Sequence, residues 1–147
     1  MVELLIVASV VFVLVSGITL TLSQAGQQVW VRMDGALVSL SDAQRALDRV
    51  SEDLRQASQA NLVCAAGQLD FDLIGGGHIT YILDANTKRL TRDDATLAKV
   101  VADGIASFTP TCQAGSGLVR LHLLAQRTTP AGSWNQPLDS QVFVQNP

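Results

Sequence analysis

Few residues in this chain of 147 have the type and spacing that chemistry needs. Glu3 is the first. It is the single ionisable residue in an apolar run from Val2 to Leu22. A carboxylate in hydrocarbon is costly alone and becomes favourable once paired, so it marks a functional position. Asp70 and Asp72 place two carboxylates on one strand face, and with Asp93 and Asp94 they are a conceivable set of oxygens for calcium. EF-hand spacing is missing, so no metal is expected there. His78 and His122 are far apart in strand-like contexts and read as solvent-facing strand residues. Gly75-Gly76-Gly77 lacks the lysine and following helix of a phosphate loop and reads as a hairpin turn. No Ser-His-Asp or Cys-His pattern has a recognisable context. The expectation is therefore no catalytic residue, no cofactor, and a chain that is not an enzyme.

Two cysteines, Cys64 and Cys112, stand 48 residues apart. In a periplasmic or extracellular domain the default is one disulfide, the alternative being two buried free thiols. Closing a loop of that length would stabilise by about 4 kcal/mol. The formal net charge is −3 and the lysines and arginines are dispersed. Without a basic patch, nucleic acid is an unsuitable partner for the folded domain. Trp30, just past the apolar run, is placed either to anchor at a membrane interface or to pack internally; Trp134 flanks nothing catalytic.

These residues need elements to hold them. As a helix, the run Val2–Leu22 would span roughly 30 Å, the thickness of a bilayer core. Its first basic residue downstream is Arg32, so the run carries no flanking charge that would orient it. Further on, Leu40, Leu47 and Leu54 repeat every seventh residue, as do Ala43, Val50 and Ala57, forming one apolar helix stripe. Asp42, Arg45, Asp48, Arg49, Glu52, Asp53 and Arg55 are read as its solvated side. The pattern predicts one helix from about Val2 to Ala60, weakened at Gly17, Gly26 and Gly35, packing on a sheet rather than in a coiled coil.

From Leu62 the period changes to two. Strands are predicted around Leu69–Leu73, His78–Leu83, Lys88–Arg92, Val100–Phe108, Leu118–Gln126 and Gln141–Val144, with Thr128–Pro137 as a loop. The expected fold class is α+β: a long N-terminal helix, transmembrane and then amphipathic, packed on a small antiparallel β-sheet. Three segments follow: 1–23 for the membrane and assembly helix, 24–61 for its amphipathic continuation, and 62–147 for the sheet domain.

The opening VELLIVASV resembles the start of a mature type IV pilin or pseudopilin, in which a glutamate is followed by an apolar helix. The runs SEDLRQAS, ITYILDANTKRLTR, VVADGIASF, LVRLHLL and QVFVQNP are similar, in order, to segments of the PilW-like or J-type minor pilins. The resemblance implies a minor pilin or pseudopilin subunit of a type IV pilus or a type II secretion-like filament. It implies an inner-membrane, single-pass precursor with a periplasmic or extracellular domain, cut by a prepilin peptidase and N-methylated. It also implies helix-to-helix partners among other subunits, with Glu3 pairing to a neighbour's N-terminal amine. In that register Met1 and Val2 occupy the third and fourth mature positions, so a leader and two residues would precede them. The alternative expectation is a bitopic, membrane-anchored periplasmic binding module that never polymerises.

Overall fold

The structure is a computed structural model describing Ser23 and residues 37–38, 40–113, 115–129 and 132–144. The chain divides into two compact units, Met1–Gly35 and Ala36–Pro147. Glu3, Trp30 and the run Val2–Leu22 lie outside the described residues. No helix among the described residues is long and apolar enough to cross a membrane.

The expected α+β architecture is corrected. The described residues are mostly antiparallel strand, with a single short helix, α1, at 40–55; no long N-terminal helix is seen among them. Eight strands form two sheets rather than one. The first holds β1 (Val63–Ala65), β2 (Gln68–Asp72), β3 (His78–Asp84), β4 (Arg89–Asp93) and β5 (Ala98–Asp103), in that order. The second holds β6 (Ile105–Gln113), β7 (Leu118–Thr129) and β8 (Gly132–Phe143). All the pairs are antiparallel between sequence neighbours.

The helix stops five residues before the expected Ala60 because the sheet takes over its backbone. The amides of Gln56 and Ala57 donate to Asp53 and Leu54 carbonyls at 3.1 Å, tightening the last turn. Ala57 then bridges to Leu73, Ser58 N–H donates to the Asp72 carbonyl at 2.7 Å, and Ile74 N–H donates to the Gln56 carbonyl at 2.9 Å. Those strand-type bonds would be lost if the helix continued.

The apolar stripe performs as its spacing predicts. Ala43, Leu47, Val50, Leu54 and Ala57 are buried, joined by Ala46. They share one core with Leu69, Phe71, Ile79, Tyr81 and Leu90 from the first sheet and Phe108, Val119, Leu121 and Leu123 from the second. Burying Leu47, Val50 and Leu54 contributes roughly 1.5–3 kcal/mol each. In β2 and β3 the buried residues alternate with exposed or half-exposed ones, so one face of the sheet meets α1 and the other faces outward.

Two predicted stretches change character. The single strand expected over Val100–Phe108 is two strands in different sheets, separated at Gly104. Gly104 has φ +75°, and a Cβ there would lie 2.8 Å from the Gln126 carbonyl oxygen. Both the turn and the close approach therefore require glycine. Within the expected loop Thr128–Pro137, residues 128–129 and 132–137 belong instead to the arms of a long β7–β8 hairpin, with Arg127 opposite Trp134 and Thr128 opposite Ser133. Pro137 is accommodated because β8 is an edge strand, where a missing N–H need not break a ladder.

The two sheets are tied together at several points. Cys64 on β1 and Cys112 on β6 form a disulfide with Cα atoms 5.7 Å apart. Gly67 N–H donates to the Phe108 carbonyl at 2.8 Å and Ile105 N–H to the Lys88 carbonyl at 2.9 Å. The Lys88 ammonium also donates to the Gln126 side-chain oxygen. Replacing both cysteines by serine removes a closure spanning 48 residues. The expected loss is up to about 4 kcal/mol of unfolding free energy. Denaturant melts of the oxidised chain and the double variant measure it, and coincident midpoints would show that the bond adds nothing.

Candidate functional site

Asp53 is the one charged side chain in the core among the described residues, at 6% exposure. It sits in the last turn of α1, where a carboxylate is disfavoured by the helix macrodipole. Tertiary contacts hold it there. The Tyr81 hydroxyl donates to Asp53 Oδ2 at 2.7 Å, and Arg92 Nε donates to the same oxygen at 2.7 Å. Arg49 Nε lies 3.7 Å from Asp53 Oδ1. Tyr81 and Arg92 are direct cross-strand partners on β3 and β4, so sheet register aims both at one point. The Tyr81 ring also stacks near Phe71, centroids 6.3 Å apart.

The network extends to the surface. Arg92 donates through Nη1 to Asp94 Oδ2 at 3.0 Å. Asp94 Oδ1 accepts from the Thr96 hydroxyl at 2.6 Å and from the Leu97 amide at 3.0 Å, fixing the β4–β5 turn. These bonds, the Thr96 hydroxyl foremost, hold the Asp94 carboxyl well below the usual carboxylate range. Burial, then the bond to Asp53, pushes the Tyr81 phenol far above its ordinary value. Burial opposes the Arg92 charge, but the Asp53 carboxylate outweighs it and raises the guanidinium's pKa. A neutral phenol, a carboxylate and a guanidinium locked together present no free acid or base. Their work is to seat α1 on the sheet.

The outward faces carry two histidine–aspartate pairs. His78 Nδ1 lies 2.8 Å from Asp72 Oδ1, and Thr80 Oγ1 lies 3.2 Å from His78 Nε2. Asn61 Nδ2 donates to Asp72 Oδ2 at 2.6 Å. The Asn61 and His78 bonds hold the Asp72 carboxyl below its ordinary value. The order carboxylate, imidazole, hydroxyl is that of a proton relay, but Thr80 sits mid-strand on β3, paired on both sides, so the backbone N–H groups around it serve ladders rather than an oxyanion. The side chain of His78 is half exposed, leaving the chain of bonds open to water. It ties the turn end of the β2–β3 hairpin, where Asp72 and His78 face each other. On the second sheet His122 Nδ1 lies 2.6 Å from Asp139 Oδ1 across β7 and β8. The two histidines are thus on different sheets and never meet.

The sequence-derived oxygen set is likewise divided. Asp70 and Asp72 share the outward face as expected, and Asp93 joins that face with Thr80 between it and Asp70. Asp94 is turned toward Arg92. Among the described residues no group of three or more metal-ligating side chains forms. Gly75 and Gly76 line an open cleft with Arg55, Gln56, Leu73 and Ile74, and Gly76 N–H donates to the Leu73 carbonyl at 3.0 Å in the hairpin turn. Cys64 and Cys112 meet in the disulfide, while Glu3 lies outside the described residues.

Sequence reasoning missed Asp53, which was assigned to the solvated side of the helix. The signal was its spacing: Ala46, Val50, Asp53 and Ala57 follow the i, i+4, i+7, i+11 pattern of one face. No protein-family model, curated protein or solved structure matches the chain.

The Asp53 network makes two measurable demands. Asp53→Ala leaves Arg92 and Tyr81 without their buried partner and should cost about 3–5 kcal/mol in a denaturant melt; a loss under about 1 kcal/mol would mean an ordinary surface pair. Tyr81 is the only tyrosine, so tyrosinate absorbance reports it alone. Its folded pKa is raised, so the stability it contributes is complete below about pH 10 and is lost as pH climbs beyond. Tyrosinate should appear only together with alkaline unfolding. A titration at the ordinary value in the folded chain would contradict the burial.

Proposed function

We propose that this protein is a minor pilin or pseudopilin subunit, a structural component of a type IV pilus or type II secretion-like filament. The observation that carries the reading is Glu3 as the lone ionisable residue in the apolar run Val2–Leu22. A single carboxylate in a segment long enough to span a bilayer needs a cationic partner, and a neighbouring subunit's N-terminal amine supplies one. The subunit waits in the inner membrane and then leaves it by packing that segment against those of its neighbours, Glu3 setting the register. Support also comes from the Cys64–Cys112 bond, which suits a domain held in an oxidising compartment outside the cytoplasm. A helix laid on antiparallel sheets then forms the part that decorates the filament.

The test is to shear cells and sediment what is released. The protein should appear in the sheared fraction, and Glu3→Ala should reduce it there by about tenfold or more while the membrane pool persists, since losing one paired buried charge exceeds 1.4 kcal/mol. The native N-terminal peptide should begin two residues before Met1 with an N-methylated amino acid. A chain confined to the membrane, indifferent to Glu3→Ala, would instead be an anchored binding module.

A further inference from the structure

The outward face of the first sheet carries two exposed aliphatic side chains, Ile82 and Val100, on a row that lies between two rows holding aspartates. Cross-strand register aligns Ala65, Gln68, Ile82, Thr91 and Val100 across all five strands. On one side lies the row Val63, Asp70, Thr80, Asp93 and Ala98; on the other lie Asp84, Arg89 and Asp103. Ile82 and Val100 are 45% and 44% exposed. Ile82 and Val100 are two strands apart, about 10 Å, with Thr91 between them. One exposed aliphatic residue is ordinary, but two on the same row of a sheet face, rimmed by polar residues, mark an interaction surface.

Charge identifies what fits. Asp70, Asp72, Asp84, Asp93 and Asp103 all face outward here, and the face has one arginine, Arg89, already paired with Asp103 at 2.7 Å. The chain as a whole is only −3, so its negative charge is concentrated on this face. Such a field repels nucleic acid and anionic lipid and attracts a basic protein surface. Spacing narrows the fit further. Successive rows lie about 6.6–6.8 Å apart along the strands, the distance between same-face side chains of an extended peptide.

We propose that the outward face of the β1–β5 sheet docks a cationic segment of a protein partner. Ile82 and Val100 take its apolar side chains, and Asp70, Asp93 and Asp84 take lysines or arginines on either side. This inference rests on the sheet face alone and does not depend on filament assembly.

The experiment uses the full chain in detergent solution and a fluorescein-labelled peptide, KSVSKSVSK, read by fluorescence anisotropy. One face of this peptide alternates lysine and valine. Saturable binding is expected, weakening with added salt. Ile82→Ser and the Asp70→Asn/Asp93→Asn double variant should each lower affinity by about tenfold, with the fold checked by circular dichroism. The peptide KSSSKSSSK should bind more weakly, and ESVSESVSE not at all. Absence of saturable binding, equal binding by the serine or glutamate peptides, or variants that bind like the parent would each overturn the proposal. So would self-association abolished by Ile82→Ser, which would make the face a contact between copies of this chain.

Discussion

The carboxylate of Asp53 has to be satisfied away from water, and much of the fold is arranged around that demand. Arg92 and Tyr81 converge on one oxygen of Asp53, each at 2.7 Å. An apolar stripe of Ala43, Leu47, Val50 and Leu54 would bury itself at several rotations and slides of α1, since hydrophobic contact is not directional. A buried, fully hydrogen-bonded charge is directional and is expensive in any wrong position. It therefore fixes where α1 lies along β3 and β4. Arg92 carries the same constraint outward to Asp94, whose bonds to Thr96 and Leu97 shape the β4–β5 turn.

Around this centre the chain solves a second problem, that of changing sheets. Gly104 ends β5 and lets β6 begin in a different sheet, with its backbone against Gln126. The Cys64–Cys112 bond and the Gly67–Phe108 and Lys88–Ile105 hydrogen bonds hold the sheets to each other. Because α1 and both inner faces supply one core, the outer faces are left to polar and charged side chains. Their histidine–aspartate pairs and aspartates are spent on hairpins and surface charge, and the enclosed interior holds packing rather than reactive groups.

Much of the local structure was legible in the sequence because it is a matter of periodicity. The seven-residue spacing of Leu47 and Leu54, and of Ala43, Val50 and Ala57, determines a helix with one apolar side. Alternation through Leu69-Asp70-Phe71 and the Gly75–Gly77 turn determines a hairpin, and the aspartates of that strand share a face because side chains alternate. What tertiary structure decided was set by partners distant in the chain. Whether α1 ends at Arg55 or Ala60 depended on Leu73 and Asp72 competing for its backbone. Whether Asp53 faced water or the core depended on Tyr81 and Arg92, 28 and 39 residues away. Where the chain passes from one sheet to the other, Gly104 meets Gln126, 22 residues on, whose N–H donates to its carbonyl and whose carbonyl leaves no room for a Cβ. Local pattern specifies which faces must be buried, whereas the choice among ways of burying them belongs to contacts that exist only once the chain has folded.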